Sequence, residues 1–226
     1  MTRPANPTLR IQIFTAAWNV VKQRGHHTLN MRDLAKQVGV TATTLYNYFE
    51  DKEDLVFQLR LGAAEELNHR IDSIEGSITP HQFLHRLGEE YIGFAEDNPH
   101  LYKLLFEEMI GEHTISENEN RLFYYTYYRA RDALRSLAED EQYPLNPRYG
   151  AMIGWIMLHG FCSLLISGTL EPAEGLTREE LKGVFLSFYT HGGTRPESIE
   201  TGDPGTGHPG TVHPVNDHHH PGKESK

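Results

Sequence analysis

An all-α fold is predicted by three observations on the 226-residue chain. Apolar residues recur at three- and four-residue spacing over most of its length, short breaks carrying Gly or Pro separate those runs, and no alternating strand pattern competes. Leu9, Ile13, Ala16, Ala17, Val20 and Val21 share one face and Gly25 stops the run, which predicts a helix over 8–24. Asn30 caps a second helix of about two turns that begins Met31-Arg32-Asp33-Leu34-Ala35, with Asp33 at the capping-box position and Gly39 ending it. Thr41 caps a short third helix running through Phe49, with Leu45 and Phe49 turned inward. Asp51 and Asp54 cap a long fourth helix from Lys52. Its stripe Leu55, Leu59, Ala63, Leu67, Ile71 and Ile74 sustains it for roughly 35 Å at the helical rise.

Further helices are predicted near 80–97, 99–111, 117–142, 147–169 and 177–191, with Pro99, Pro144 and Pro172 in the breaks because proline cannot continue a preceding helix. From Gly192 onward seven glycines and five prolines fall in 35 residues without one aromatic, so that stretch is predicted to be a disordered tail. The predicted organisation is therefore a helix-turn-helix domain over 1–55, a helical domain over 56–191 and the tail over 192–226.

Composition narrows the classes. The single cysteine, Cys162, excludes an intrachain disulfide framework and a multi-cysteine zinc module, and no secretory signal opens the sequence, so a cytoplasmic location is expected. Tyr149 to Leu170 carries no formal charge and is long enough to cross a bilayer, yet it is interrupted by Gly, Ser and His and has no basic flank after it. It is read as a core or interface helix, with no membrane partner. The net charge is −10, but six bases against Asp33 alone give residues 1–49 a charge of +5 and leave −15 for the rest. A basic head on an acidic body suits a head that meets an anion.

The helices flanking Gly39-Val40-Thr41 form a helix-turn-helix, whose second helix enters the DNA major groove. Ala42, Thr43 and Thr44 are small enough to admit base edges, and Thr and Asn side chains hydrogen-bond bases or phosphates. Three stretches carry a more specific signal: Arg10-Ile11-Gln12-Ile13-Phe14-Thr15-Ala16-Ala17, Leu34-Ala35-Lys36-Gln37-Val38-Gly39-Val40-Thr41, and Thr44 through Leu55. In order and spacing, residues 10–57 closely resemble the TetR family of transcriptional regulators. The resemblance implies a dimeric repressor-type protein with recognition helix 42–48 and C-terminal helices that bind a small-molecule effector and form the dimer. By that resemblance Thr41, Thr43, Thr44, Tyr46, Asn47 and Tyr48 are the base and phosphate contacts, with Arg32 early in the second helix and Lys52 the phosphate-contacting lysine. The chain departs from the family at Thr43, where glycine is frequent, and at Tyr48, where histidine is common, so base preference does not transfer.

Downstream, Trp155 with His159-Gly160 resembles a TetR subgroup named for a Trp-His-Gly signature. The effector site that the resemblance implies is sought at Tyr91, Tyr102, Phe106, Tyr124, Tyr127, Trp155 and His159, although an aromatic at helical spacing is more often packing than ligand contact. The helices at 147–169 and 177–191, the second with the stripe Leu181, Val184, Phe185 and Phe188, are expected to pair across a two-fold axis in a homodimer, or else to be intramolecular core. His81, His85 and Glu89 share a helix face and the tail is rich in histidine, but the face is a solvated one and no metal site or cofactor is expected. No nucleophile-base signature or phosphate-cradling loop is present and Cys162 lies in an apolar run, so no enzyme is expected. The expected function is repression relieved by an effector at a palindromic operator in double-stranded DNA. The alternatives are an adaptor, or a ligand-binding bundle without sequence-specific DNA binding.

Overall fold

A computed structural model describes residues 6–106, 115–141, 146–170 and 176–191, all within the first of two units, Met1–Thr194 and Arg195–Lys226. The predicted tail lies outside the described residues. Among these residues the regular structure is entirely helical: α1 Pro7–Arg24, α2 Met31–Gln37, α3 Ala42–Leu45, α4 Lys52–Asp72, α5 Pro80–Asp97, α6 Pro99–Phe106, α7 Glu117–Phe123, α8 Tyr125–Glu141, α9 Pro147–Ile166 and α10 Arg178–His191. A short 3-10 turn, His26–Thr28, follows α1.

The N-caps expected at Asn30, Thr41 and Asp51 form, without the return bond from Asp33 that a capping box at Asn30 would have. Asn30 Oδ1 accepts from the N–H groups of Arg32 and Asp33, Asp51 Oδ1 accepts from Asp54 N–H at 2.7 Å, and Thr79 and Gln82 make a reciprocal capping box at the head of α5. The Asp33 carboxylate lies 3.6 Å from Lys36 Nζ. Gly25 and Gly39 take positive φ, 80° and 74°, to end α1 and α2, a conformation that costs a side-chain-bearing residue.

Three predicted boundaries are corrected. The third helix is regular only over Ala42–Leu45. The chain then tightens, with Asn47 N–H bonding Thr44 O and Tyr48 N–H bonding Leu45 O, so that Phe49 reaches the core beside Leu45. The helix predicted over 117–142 is broken at Tyr124. Asn68 Nδ2 of α4 takes the carbonyl of Leu122 at 2.9 Å, which an unbroken helix would give to the N–H of Thr126. The helix predicted over 147–169 stops at Ile166, where Gly168 turns to φ 72° and Leu170 N–H bonds back to Leu164 O. Whether α6 continues to 111 lies outside the described residues.

Helix α4 is the spine. Its stripe Leu55, Leu59, Ala63, Leu67 and Ile71 is buried throughout and packs on α1 and on α5, α6, α7 and α8. Close approach to α1 depends on Gly62, where a Cβ would stand 3.0 Å from Trp18 Cζ3 and 3.1 Å from Phe14 Cζ. At the other end of the bundle α10 settles on α5 and α9 in the same way. A Cβ at Gly88 would lie 2.6 Å from Leu186 Cδ2, and one at Gly154 would lie 3.0 Å from Tyr189 Cε2.

Crowding at the α1–α4 contact makes a direct test. Alanine at Gly62 would gain helix propensity of about 1 kcal/mol against a tight contact, so the bulkier Gly62→Val is the cleaner probe. Gly62→Val is expected to lose about 1–3 kcal/mol, read as a lower urea midpoint with unchanged m-value. An unchanged midpoint would contradict the packing.

Candidate nucleic-acid interface and aromatic cluster

In the helix-turn-helix, α2 and α3 are joined by a turn in which Val40 N–H reaches Ala35 O at 2.9 Å. Leu45 and Phe49, fully buried, pin the short helix to the core, and Arg10 lies over the Phe49 ring at 5.1 Å. Of the predicted contacts, Arg32, Thr41, Thr43, Tyr46 and Asn47 are exposed, whereas Thr44, Tyr48 and Lys52 are half-buried. Thr41 and Thr44 hold each other, since Thr44 N–H donates to Thr41 Oγ1 at 3.2 Å and the two hydroxyls are 2.8 Å apart. Tyr46 is the large apolar side chain most exposed in this region after Ile11, at 49%. The Tyr48 hydroxyl accepts from Asn6 N–H at 3.1 Å, which ties the start of α1 to the end of the recognition segment and leaves the hydroxyl proton to donate. Lys52 opens α4, where the helix dipole adds to its charge in favouring an anion.

The sequence-predicted effector residues also meet. Tyr91 of α5, Tyr102 and Phe106 of α6, Tyr124 between α7 and α8, Tyr127 of α8, and Trp155 and His159 of α9 form one connected set of rings. Centroid separations are 5.9 Å for Tyr91–Tyr102, 5.0 Å for Tyr102–Phe106, 6.3 Å for Phe106–Trp155, 5.7 Å for Tyr124–Trp155 and 6.5 Å for Tyr124–Tyr127. Tyr102 Oη and His159 Nδ1 share a hydrogen bond of 2.7 Å whose direction follows the imidazole tautomer. Cys162 is buried beside this pair. Burial pushes its thiol up to about 12, a shift that the Tyr102 hydroxyl opposes.

Two polar ties missed by sequence reasoning bind α4 to the helix ends around this cluster. The Arg60 guanidinium donates from Nε and Nη2 to Leu105 O at 3.2 and 3.0 Å and lies 4.8 Å from the Phe123 centroid, and burial lowers its pKa. At the far end of α4, Asp72 accepts from Tyr125 Oη and from Arg129. Only the (i, i+8, i+12) placement of Arg60, Asn68 and Asp72 on one helix would have hinted at them.

Helix α9 has two apolar faces. Ala151, Leu158, Phe161, Cys162 and Leu165 are buried, with Phe161 stacked on Phe185 of α10 at 4.1 Å, while Met152, Ile153, Ile156 and Leu164 are exposed, Ile156 at 60%. The α10 stripe divides likewise: Leu181 and Phe185 turn inward, Val184 and Phe188 outward. Among the described residues nothing comes close to the open side of Gly160. By length and composition α9 is apolar enough to cross a membrane, with a third of its apolar window buried. His85 Nδ1 lies 3.7 Å from Glu89 Oε1, and no group of three metal-ligating residues is gathered among the described residues.

Residues 13–59 match the family model described as bacterial regulatory proteins, tetR family, and residues 84–182 match one described as tetracyclin repressor-like, C-terminal domain. The fatty acid metabolism regulator protein of Bacillus subtilis (strain 168) is 35% identical over 68 residues, which are 30% of this chain and 34% of that protein. An uncharacterised HTH-type transcriptional regulator of Haemophilus influenzae is 35% identical over 72 residues, 32% of this chain and 34% of that protein. The chain thus matches about a third of the length of these curated relatives. Among solved structures, a protein of unknown function from Rhodococcus sp. RHA1 superposes with a TM-score of 0.70 at 16% identity, covering 85% of this chain and 98% of that one. FadR from Bacillus subtilis, in complex with stearoyl-CoA, superposes with a TM-score of 0.62 at 18% identity, covering 80% and 98%. At such identities the likeness is one of fold.

The state of Cys162 can be checked chemically. A thiol held protonated and buried should resist a disulfide-exchange reagent at about pH 8 and titrate fully once the chain is unfolded in urea. Rapid labelling of the folded protein would contradict the burial.

Proposed function

From the premise that the chain belongs to the TetR family of bacterial regulatory proteins, we propose that it is a DNA-binding transcriptional regulator, not an enzyme, acting as a homodimer on a palindromic operator. Its repression is relieved by a small-molecule effector. The observation that carries this reading is the presentation of Thr43, Tyr46 and Asn47 to solvent from a segment pinned by Leu45 and Phe49. Thr43 and Asn47 are the base-reading side chains, because they are exposed and hold donors and acceptors that fit base edges. Tyr46, Tyr48, Lys52 and Arg32 serve phosphates, which fix register without reading sequence. Thr41 and Thr44 keep the segment in shape through their shared hydrogen bonds, and present their remaining capacity to the backbone of the DNA.

Dimerisation uses the outward faces of α9 and α10. Ile153, Ile156 and Leu164 of α9 and Val184 and Phe188 of α10 are large apolar side chains left exposed in the single chain, and a second copy covers them by self-complementary packing around a two-fold axis. Gly160 leaves room for the partner's helix to approach. This occupant also accounts for the apolar run of α9 without a bilayer. The effector site is the ring cluster at Tyr91, Tyr102, Phe106, Tyr124, Tyr127, Trp155 and His159, and the two relatives that are named for fatty acid metabolism or hold stearoyl-CoA support a regulator that senses a metabolite.

Lys52→Ala is expected to weaken binding to a random-sequence duplex and to lower the slope of log affinity against log salt by about one unit, as the loss of one phosphate contact requires. Fluorescence anisotropy of a labelled duplex at several salt concentrations measures both, and an unchanged slope with unchanged affinity would remove Lys52 from the interface. Phe188→Asp and Ile156→Asp place a charge on a surface that is solvated in the single chain, so each should remain folded by circular dichroism and sediment at half the wild-type mass. Dimers persisting in both variants would overturn the assigned face.

A further inference from the structure

Two contacts dock the first turn of α1 on the end of the recognition segment. Asn6 N–H donates to Tyr48 Oη at 3.1 Å, and one turn further on the Arg10 guanidinium lies over the Phe49 ring, 5.1 Å from its centroid. Asn6 and Arg10 stand at i and i+4 and share a helix face, which is therefore the face turned to residues 48 and 49. Arg10 is exposed, while Phe49 beneath it is fully buried.

The charges of the basic head differ in what they meet. Lys22 Nζ has the Glu66 carboxylate at 3.7 Å, and Lys36 Nζ has that of Asp33 at 3.6 Å. Arg10 pairs with no carboxylate among the described residues, although Glu50, Asp51, Glu53 and Asp54 closely follow Phe49 in the chain. Two of these acids are engaged by backbone at the start of α4: Asp51 Oδ1 accepts from Asp54 N–H at 2.7 Å, and Asp54 Oδ2 accepts from Glu50 N–H at 3.0 Å. A ring, not an acid, holds Arg10 in place. Its charge and its N–H donors are thus left for a partner outside the chain.

Resting on the regulator reading above, we propose that the first turn of α1 is a further DNA-contacting element, in which Arg10 grips one backbone phosphate beside the recognition segment and Phe49 positions it. The planar guanidinium fork matches two phosphate oxygens at once, and its donors lie in its own plane, so that stacking on a ring face does not consume them. The contact reads no base. It fixes where residues 42–49 sit on the duplex, and because Arg10 and Phe49 touch, a displacement of α1 moves the phosphate grip and the recognition segment together.

The full chain is tested by fluorescence anisotropy with a labelled duplex of random sequence at several salt concentrations, with Lys52→Ala measured alongside. Arg10→Ala should bind about tenfold more weakly, the scale of one lost charge-assisted bond, and should lower the slope of log affinity against log salt by about one unit. Arg10→Lys keeps the charge without the fork, so it should keep the wild-type slope and fall between wild type and Arg10→Ala in affinity. Thermal melting separates a purely structural role. If Arg10 only shields Phe49, Arg10→Ala melts lower but keeps the wild-type slope and affinity, and the proposal is overturned. Arg10→Lys equal to wild type in affinity would also overturn it, since a diffuse positive charge would give that result. A lower slope in Lys52→Ala but not in Arg10→Ala refutes this contact and leaves the regulator reading standing, whereas a chain without affinity for duplex DNA at any salt concentration refutes both.

Discussion

Helix α4 must bury one stripe against two sets of neighbours, and the other helices are placed by how it does so. It packs on α1, where only a glycine at position 62 lets Trp18 and Phe14 come close, and the same unbroken helix also packs on α5, α6, α7 and α8. Interiors packed at this density transmit displacement and do not absorb it. A shift of any element against α4 therefore moves the helix whose N-terminus carries Lys52 beside the recognition segment. The boundary expected near residue 55 falls inside α4, with no change in its helical course there.

Three polar side chains sharpen this coupling. Arg60 holds the carbonyl of Leu105 in α6, Asn68 holds that of Leu122 in α7, and Asp72 holds Tyr125 and Arg129 in α8. Arg60 and Asn68 each take up a backbone carbonyl at a helix end that would otherwise be left short of a partner, and Asp72 gathers two side chains of α8. Moving α6 along α4 therefore breaks two bonds from a half-buried guanidinium, which ties the position of Tyr102 and Phe106, on the same helix, to that of α4. The ring cluster and the segment 42–49 are thus joined through one helix, and under the proposed function that is the physical requirement for a ligand at one to be felt at the other.

Much of this was legible in the sequence because helix period, caps and terminal glycines are local signals. The burial of Ile13, Leu45, Phe49, Leu59 and Ile71 follows directly from spacing. The break at Tyr124 was not legible, because the bond that Leu122 O accepts there comes from Asn68, far away in sequence. The shortness of α3 was missed for a related reason: Thr41 and Leu45 signal a start and an inward anchor, but the tightening after Leu45 that accompanies the burial of Phe49 carries no local signal. The aromatic candidates were chosen by residue type, and the fold gathers all seven into one set of contacts. Spacing could not reveal that Tyr91 lacks a partner, that Tyr48 is engaged by Asn6, or that α9 presents two apolar faces, since each depends on neighbours from distant segments.

The central claim is that two copies of the Thr43–Asn47 surface read a symmetric DNA sequence. Repeated selection by the full chain from a library of randomised duplexes measures this most directly. The expected result is enrichment of an inverted repeat whose half-sites lie about one helical turn apart or slightly more, and loss of that consensus when Thr43 and Asn47 are both replaced by alanine. Enrichment of no sequence over random duplex, or of a consensus without two-fold symmetry that survives the double replacement, would contradict it.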